Sequence, residues 1–195
     1  MKLLLLSSSR GTTMQAVLDA LNNGALDMEC IGLVSDKEER GCVEKALDAD
    51  IPVTILSRVG FEREEYDQLL HDTILHMGGS PDDTIIAALG WMFILSPDFV
   101  RKWPRRIINV HPSLLPKHPG AHAIADALRA GDSESGMTIH YIDEGVDTGE
   151  IIEQKSCSIN DGETEESLKE KIQALEKEWY PIILQRIQEQ GNLCS

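Results

Sequence analysis

Near the start of the chain stands the segment Lys2-Leu3-Leu4-Leu5-Leu6-Ser7-Ser8-Ser9-Arg10-Gly11-Thr12-Thr13. Its short apolar run followed by turn residues is typical of a buried parallel strand, and the threonines after the glycine predict the start of a helix. Further apolar runs occur at residues 30–34, 53–56, 84–88 and 107–110, and they alternate with helical patterns at 13–22, 42–49, 62–77 and 97–102. This alternation predicts an α/β fold with a doubly wound, mostly parallel, open sheet.

The pattern changes after the fifth strand. A loop rich in proline and histidine covers residues 111–120, and a short helix is predicted near residues 121–130. Two strands, at 137–142 and 151–158, flank an acidic loop at 143–150. A long C-terminal helix is predicted over residues 165–190, with Pro181 expected to bend or restart it. The length, without a repeat or a linker, predicts a single domain over residues 1–195.

Composition argues against several classes of function. The 195 residues include 33 acidic and 18 basic side chains, for a net charge of −15. Nucleic-acid binding needs a basic stripe, and anionic membranes would repel this charge. No segment reaches the roughly 18 apolar residues of a membrane span. The cysteines Cys30, Cys42, Cys157 and Cys194 form no CxxC motif, so free thiols and a cytoplasmic location are expected.

Three predicted loops, at residues 7–13, 90–95 and 111–120, follow strands at the edge where doubly wound sheets bind ligands. In the first loop, Gly11 allows a close backbone approach, and Thr12 and Thr13 offer hydroxyls and free amides at a helix N-terminus. This combination suits one phosphate group, although a plain helix cap would have the same residues. The loop matches neither the dinucleotide fingerprint nor the nucleotide-triphosphate fingerprint.

Asn109 and His111 lie two residues apart at the end of a strand, so their side chains point the same way. An amide donor beside an imidazole can serve a developing oxyanion and a proton transfer together, although both residues could instead cap and pack the strand. The acidic loop carries Asp147 between two glycines, which favours a carboxylate aimed inward over a solvated hairpin.

Two other readings of the proline- and histidine-rich loop are less consistent with the sequence. His118 and His122 are separated by Pro119-Gly120, which argues against a shared helical face and a metal site. Ser113 lies outside any G-x-S-x-G elbow, which argues against a serine hydrolase.

Three segments of the chain form a recognisable series: Ile108-Asn109-Val110-His111-Pro112-Ser113-Leu114-Leu115-Pro116-Lys117-His118-Pro119-Gly120, then Gly136…His140, then Val146-Asp147-Thr148-Gly149. Together they resemble the folate-dependent formyltransferase family over nearly the whole chain. The resemblance implies a Rossmann-like formyltransferase fold and direct formyl transfer from 10-formyltetrahydrofolate to a primary amine, without a metal. It also implies glycinamide ribonucleotide as the acceptor. An amino-sugar nucleotide N-formyltransferase and a non-catalytic folate- or phosphometabolite-binding module are the alternatives.

By motif position, the resemblance implies that Asn109 holds the formyl oxygen, His111 acts as the proton-transferring acid, and Asp147 assists His111. The acceptor's phosphate would bind Gly11, Thr12 and Thr13, and its ribose would bind Glu176. The implied folate-binding residues are Arg63, Met92, Phe93, Ile94, Leu95, Asn109, His140 and Asp143, with Arg63 at the glutamate tail. The expected partners are these small molecules, and the expected state is a monomer or a weak homodimer.

The chain departs from the family's pattern in three places. Ser9 and Thr13 replace a glycine and an asparagine of the usual S-G-x-G-S-N turn, and Phe93 stands where purine-pathway members commonly carry arginine. We expect the phosphate site to survive the first two changes, because backbone amides and hydroxyls remain.

Overall fold

A computed structural model describes residues 1–193; Cys194, for which we predicted a free thiol, lies outside the described residues. Six helices and seven strands occur in these residues. In chain order they are β1 (Lys2–Leu6), α1 (Thr12–Asn22), β2 (Glu29–Ser35), α2 (Gly41–Asp48), β3 (Val53–Ile55), α3 (Arg63–His76), β4 (Thr84–Ala88), α4 (Pro97–Lys102), β5 (Ile107–His111), α5 (Ala123–Ala130), β6 (Glu134–Tyr141), β7 (Ile151–Ser158) and α6 (Glu165–Leu193).

The strands form one sheet in the order β3-β2-β1-β4-β5-β6-β7. The pairings from β3 to β5 are parallel, and β6 and β7 are antiparallel additions at one side. The winding reverses between β1 and β4, which places a ligand crevice beyond the carboxyl ends of these strands. The predicted doubly wound, mostly parallel sheet with a long C-terminal helix is therefore confirmed.

The four leucines of β1 are all fully buried, because helices cover both faces of the sheet. Leu3 and Leu5 pack with residues of α1 and α6 on one face, and Leu4 and Leu6 pack with residues of α3 and α4 on the other. This arrangement explains why the strand is uniformly apolar rather than alternating.

Most element bounds lie within two residues of the sequence prediction, but the start of β6 and the end and course of α6 differ from it. β6 begins at Glu134 rather than at residue 137, because the polar residues before Met137 join an antiparallel ladder with β7. Helix α6 continues through Pro181 and therefore does not restart there. Tyr180, Ile183 and Leu184 around the proline are buried, and the Tyr180 hydroxyl donates a hydrogen bond to the Ile108 carbonyl at 2.9 Å, so tertiary packing holds the helix across this position.

Two further observations concern the described residues. Cys30, Cys42 and Cys157 are free thiols. Within residues 1–193, no helix combines the length and the apolar character that a membrane crossing requires.

Candidate active site

A cavity of about 810 Å³ opens beyond the carboxyl ends of β1, β4 and β5. Nearly all of the sequence-predicted site residues line it: Thr12, Thr13, Met92, Phe93, Ile94, Leu95, Asn109, His111, His140, Asp143, Asp147 and Glu176. Gly11 lies between two lining residues. Arg63 is not in the lining: it begins α3, where its side chain pairs with Glu64 at 3.2 Å.

His111 ends β5 and is only 5% exposed. Its Nε2 lies 2.8 Å from the carbonyl oxygen of His118, which can only accept a hydrogen bond, so Nε2 carries the proton. The other ring nitrogen, Nδ1, lies 3.3 Å from Oδ2 of Asp147. The imidazole is thus fixed at both ends and faces a carboxylate with which it can share a second proton.

Asp147 is held by its own backbone and by the neighbouring loop. Its φ of 54° is in the left-handed region, and its Oδ2 accepts a hydrogen bond from the Gly120 amide at 2.7 Å. Its Oδ1 lies 3.7 Å from Nε2 of His140. The single carboxylate therefore faces two histidines from separate strands.

The loop that carries Asp147 is organised by Asp143. Oδ1 of Asp143 accepts hydrogen bonds from the Gly145 amide at 3.0 Å and from the Thr148 hydroxyl at 2.8 Å. Gly149 closes the loop where no side chain fits, since a Cβ there would lie 1.8 Å from the Tyr141 carbonyl oxygen. One oxygen of Asp143 is therefore occupied in shaping the loop.

Asn109 and His140 are directly paired across β5 and β6. Burial lowers the pKa of His140. The hydrogen bond to the Tyr141 carbonyl, at 2.9 Å, and the charge of Asp147 raise this pKa, but their effect is smaller than that of burial. The neutral ring then donates from Nδ1 to that carbonyl and accepts at Nε2 from the Asn109 amide nitrogen at 3.2 Å. This bond uses one N–H of Asn109 and leaves the second available in the cavity.

At one end of the cavity, a buried polar pair joins α1 to α6. The Thr13 hydroxyl donates to Oε2 of Glu176 at 2.6 Å. Burial raises the pKa of Glu176 to about 7, and the hydrogen bond from Thr13 opposes part of this effect. Gly11 precedes α1 in the left-handed conformation, with φ 71°, and no side chain caps the helix. The first amides of α1 are therefore free of a side-chain partner at this end.

Sequence reasoning missed two lining residues of α6 at the same end, Lys169 and Gln173. They precede Glu176 by seven and three positions, so the three residues share one helix face. Once Glu176 is assigned to the site, this spacing predicts that Lys169 and Gln173 face it as well. Lys169 adds a positive charge beside the turn that is suited to a phosphate.

The opposite end is apolar and formed by the loop after β4. Met92 and Ile94 are 68% and 57% exposed, and Phe93 packs edge-on against Trp91, with ring centroids 5.1 Å apart. Ser8 anchors this loop, because its Oγ accepts a hydrogen bond from the Met92 amide at 2.9 Å. Trp91, which sequence reasoning did not single out, also lines the cavity.

The cavity thus has a phosphate-suited end, an apolar end, and an amide, two histidines and a carboxylate between them. Within residues 1–193, no group of three or more His, Cys, Asp and Glu side chains is arranged to hold a metal ion. The arrangement can stabilise a developing oxyanion and move a proton beside it.

Comparison with known proteins identifies similar chains. A family model described as formyl transferase matches residues 1–184. The chain is 42% identical over 182 residues to the trifunctional purine biosynthetic protein adenosine-3 of Drosophila pseudoobscura pseudoobscura, which covers 92% of this chain and 13% of that protein. It is 32% identical to the phosphoribosylglycinamide formyltransferase of Bacillus subtilis (strain 168), over 95% of this chain and 94% of that one.

A solved structure of phosphoribosylglycinamide formyltransferase from Bacillus Halodurans superimposes with a TM-score of 0.90 at 35% identity, covering 96% of this chain and 95% of that chain. The chain therefore spans only 13% of the length of the trifunctional relatives, but nearly the full length of the single-activity ones.

Proposed function

The chain belongs to the formyl transferase family, and we propose on this basis that it transfers the formyl group of 10-formyltetrahydrofolate to the amine of glycinamide ribonucleotide in purine biosynthesis. The similarity to single-activity phosphoribosylglycinamide formyltransferases over nearly their full length supports this reaction. The observation that carries the proposal is the convergence of Asn109, His111, His140 and Asp147 on one cavity.

In the proposed reaction, the acceptor amine attacks the formyl carbon directly. A new C–N bond forms and the carbonyl oxygen becomes negatively charged in a tetrahedral centre. Asn109 donates its free N–H to this oxygen, and His140 keeps the amide in the required orientation. A fixed donor of this kind contributes about 10²–10³ in rate, because the bond strengthens as the charge develops.

Collapse of the tetrahedral centre then breaks the bond between the formyl carbon and the folate nitrogen. The departing nitrogen must gain a proton, and the new amide nitrogen must lose one. His111 supplies the first proton, and Asp147, at 3.3 Å, stabilises the protonated ring and receives the second proton through water. Positioned proton transfer contributes roughly 10²–10⁴ in rate. The proposed reaction therefore needs only these two proton transfers and no covalent enzyme intermediate.

The two ends of the cavity suit the two substrates. Gly11, Thr12 and Thr13 would bind the phosphate of glycinamide ribonucleotide, with Lys169 beside them, and Glu176 would accept hydrogen bonds from its ribose. The folate would occupy the other end, against the loop Met92-Phe93-Ile94-Leu95 and beside His140 and Asp143. Holding both substrates at one sheet edge makes the transfer effectively intramolecular.

We also propose that residues 1–195 form one catalytic domain, and that the protein works in the cytoplasm as a monomer or weak homodimer. The free thiols of Cys30, Cys42 and Cys157 support a reducing compartment. The net charge of −15 supports small molecules rather than nucleic acid as partners.

A substrate panel tests the proposal. The protein is mixed with 10-formyltetrahydrofolate and with glycinamide ribonucleotide, an amino-sugar nucleotide or no acceptor, and release of tetrahydrofolate is followed spectroscopically. We expect turnover with glycinamide ribonucleotide alone, and none in a folded His111→Ala variant. Turnover only with the amino sugar would identify the alternative acceptor, and binding of both substrates without turnover would identify a binding module.

A further inference from the structure

Arg58 is a half-buried cation beside the apolar end of the cavity. Its guanidinium carbon lies 4.7 Å from the centroid of the Phe93 ring and 5.7 Å from that of Tyr66. Within residues 1–193, its side chain enters no ion pair and no hydrogen bond, and the carboxylate of Asp67 nearby is hydrogen-bonded to the Ser96 amide. A guanidinium that stacks through its face keeps its in-plane N–H groups available for a planar anion.

The surface under Arg58 is rigid. Tyr66 is fully buried, and its hydroxyl donates a hydrogen bond to the Leu56 carbonyl at 2.9 Å. The Trp91 ring stacks on Tyr66 with centroids 6.3 Å apart, and the Phe93 ring meets Trp91 edge-on. Arg58 is therefore held in place before any ligand arrives, which reduces the entropy lost when it binds one.

The position of this cation relative to the rest of the cavity indicates which anion it meets. The phosphate-suited turn and Lys169 lie at the other end, whereas Phe93, between the exposed Met92 and Ile94, lines the end near Arg58. The folate co-substrate consists of a neutral ring system, a benzoyl ring and a glutamate tail. The exposed apolar side chains suit the benzoyl ring, and a benzoyl ring placed there would leave the charged tail close to Arg58.

We propose that Arg58, stacked on Phe93, binds the carboxylates of the folate's glutamate tail. The inference rests on the proposed function, because it takes the folate as the ligand of this end. The chain carries a net charge of −15, so a dianionic tail is repelled by most of the surface, and an arginine that has no ion-pair partner within residues 1–193 is a favourable contact for it. Neither arginine is itself a lining residue, but Arg58 stacks on Phe93, which lines the cavity, whereas Arg63, which the resemblance implies for this role, is paired with Glu64.

Binding of three ligands, measured by calorimetry, distinguishes a direct contact of Arg58 with the glutamate tail from a role in which Arg58 only supports Phe93. The ligands are tetrahydrofolate, its triglutamate form, and the amide of tetrahydropteroic acid, which lacks glutamate and has no carboxylate. The variants are Arg58→Gln, Arg58→Lys and the matched control Arg63→Gln, with near-ultraviolet circular dichroism to verify that the aromatic cluster is intact.

We expect Arg58→Gln to weaken the binding of tetrahydrofolate and of its triglutamate about tenfold, which corresponds to about 1.4 kcal/mol. The affinity for the tetrahydropteroic acid amide should change less than about twofold. The affinities of Arg58→Lys should lie between those of the original protein and those of Arg58→Gln, since lysine keeps the charge but loses the bidentate fork. Arg63→Gln should leave all three affinities within about twofold.

Equal losses for ligands with and without the tail would overturn the inference and leave Arg58 as a support for Phe93. A tail-dependent loss in Arg63→Gln alone would overturn it in favour of Arg63. Because these measurements need no acceptor, they stand even if glycinamide ribonucleotide is not formylated. Failure of the unmodified protein to bind any of the three ligands would overturn both this inference and the proposed function.

Discussion

Replacing Glu176 by glutamine should remove a pH dependence from the stability of the protein. Burial raises the pKa of this carboxyl from 4.5 to about 7, despite the hydrogen bond from Thr13. Between these two values the native protein keeps a proton that the unfolded chain has lost. The free energy of unfolding therefore falls as pH rises through this window and becomes constant above about pH 7.

The size of the effect follows from the pKa difference. At ~1.4 kcal/mol per pKa unit, ionising the buried carboxyl costs about 3 kcal/mol in total. Glutamine stays neutral and can still accept a hydrogen bond from the Thr13 hydroxyl. The stability of Glu176→Gln relative to the original protein should therefore increase by about 2 to 3 kcal/mol between about pH 5 and about pH 8.5.

Urea denaturation of both proteins at several pH values measures this difference. The lowered pKa of buried His140 acts in the opposite direction, but it is present in both proteins and cancels in the comparison. Glu178→Gln, on the exposed face of the same helix, is the matched control and should give a flat difference. A flat difference for Glu176→Gln as well would show that the native carboxylate ionises in the ordinary range, and would refute the reasoning.

Three further predictions concern the cavity. Asn109→Ala should lower kcat by about 10²–10³ with little change in either KM, and a pure KM effect in steady-state kinetics would mark Asn109 as a ground-state binder. Asp147→Asn should lower kcat at least about 100-fold while the thermal unfolding midpoint changes little, and unchanged turnover would remove Asp147 from the proton path. Gly11→Ala should lower the free energy of unfolding by ~1–3 kcal/mol and raise the acceptor KM, because the new Cβ lies 2.9 Å from Cys42 Cα at φ 71°. Gly24→Ala is the control, because Gly24 has a φ of 76° but open space around it, so this variant measures only the cost of the left-handed backbone. Equal losses of unfolding free energy in the two variants would show that the contact with Cys42 is unimportant.

The fold was predictable because local patterns and the tertiary structure agree. A strand buried on both faces must be apolar at every position, and Leu3–Leu6 satisfies this condition. The start of β6 was not predictable in the same way. Gly136 lies where a Cβ would be 2.0 Å from the Lys155 carbonyl oxygen, so a close approach of β7 selects a glycine that the sequence presents as a strand breaker.

The site was predictable where it follows strand periodicity and less so where it depends on distant contacts. The shared direction of Asn109 and His111 follows from the two-residue repeat of a strand. The hydrogen bond between Thr13 and Glu176 joins residues 163 positions apart, and the stack of Arg58 on Phe93 joins two loops. Helix and strand patterns carry no information about such contacts, so only the resemblance or the structure identifies them.

The change from parallel to antiparallel pairing at β5 and β6 divides the lining of the cavity into two kinds of position. Asn109 and His140 are neighbours in a backbone ladder, so the pairing of β5 with β6 sets their spacing. The segments to which the proposed function assigns substrate binding, by contrast, are loops and a helix face outside that ladder. Under the proposed function, the turn at residues 7–13 and the inner face of α6 can therefore be rebuilt to accept a new amine while Asn109 and His140 keep their spacing.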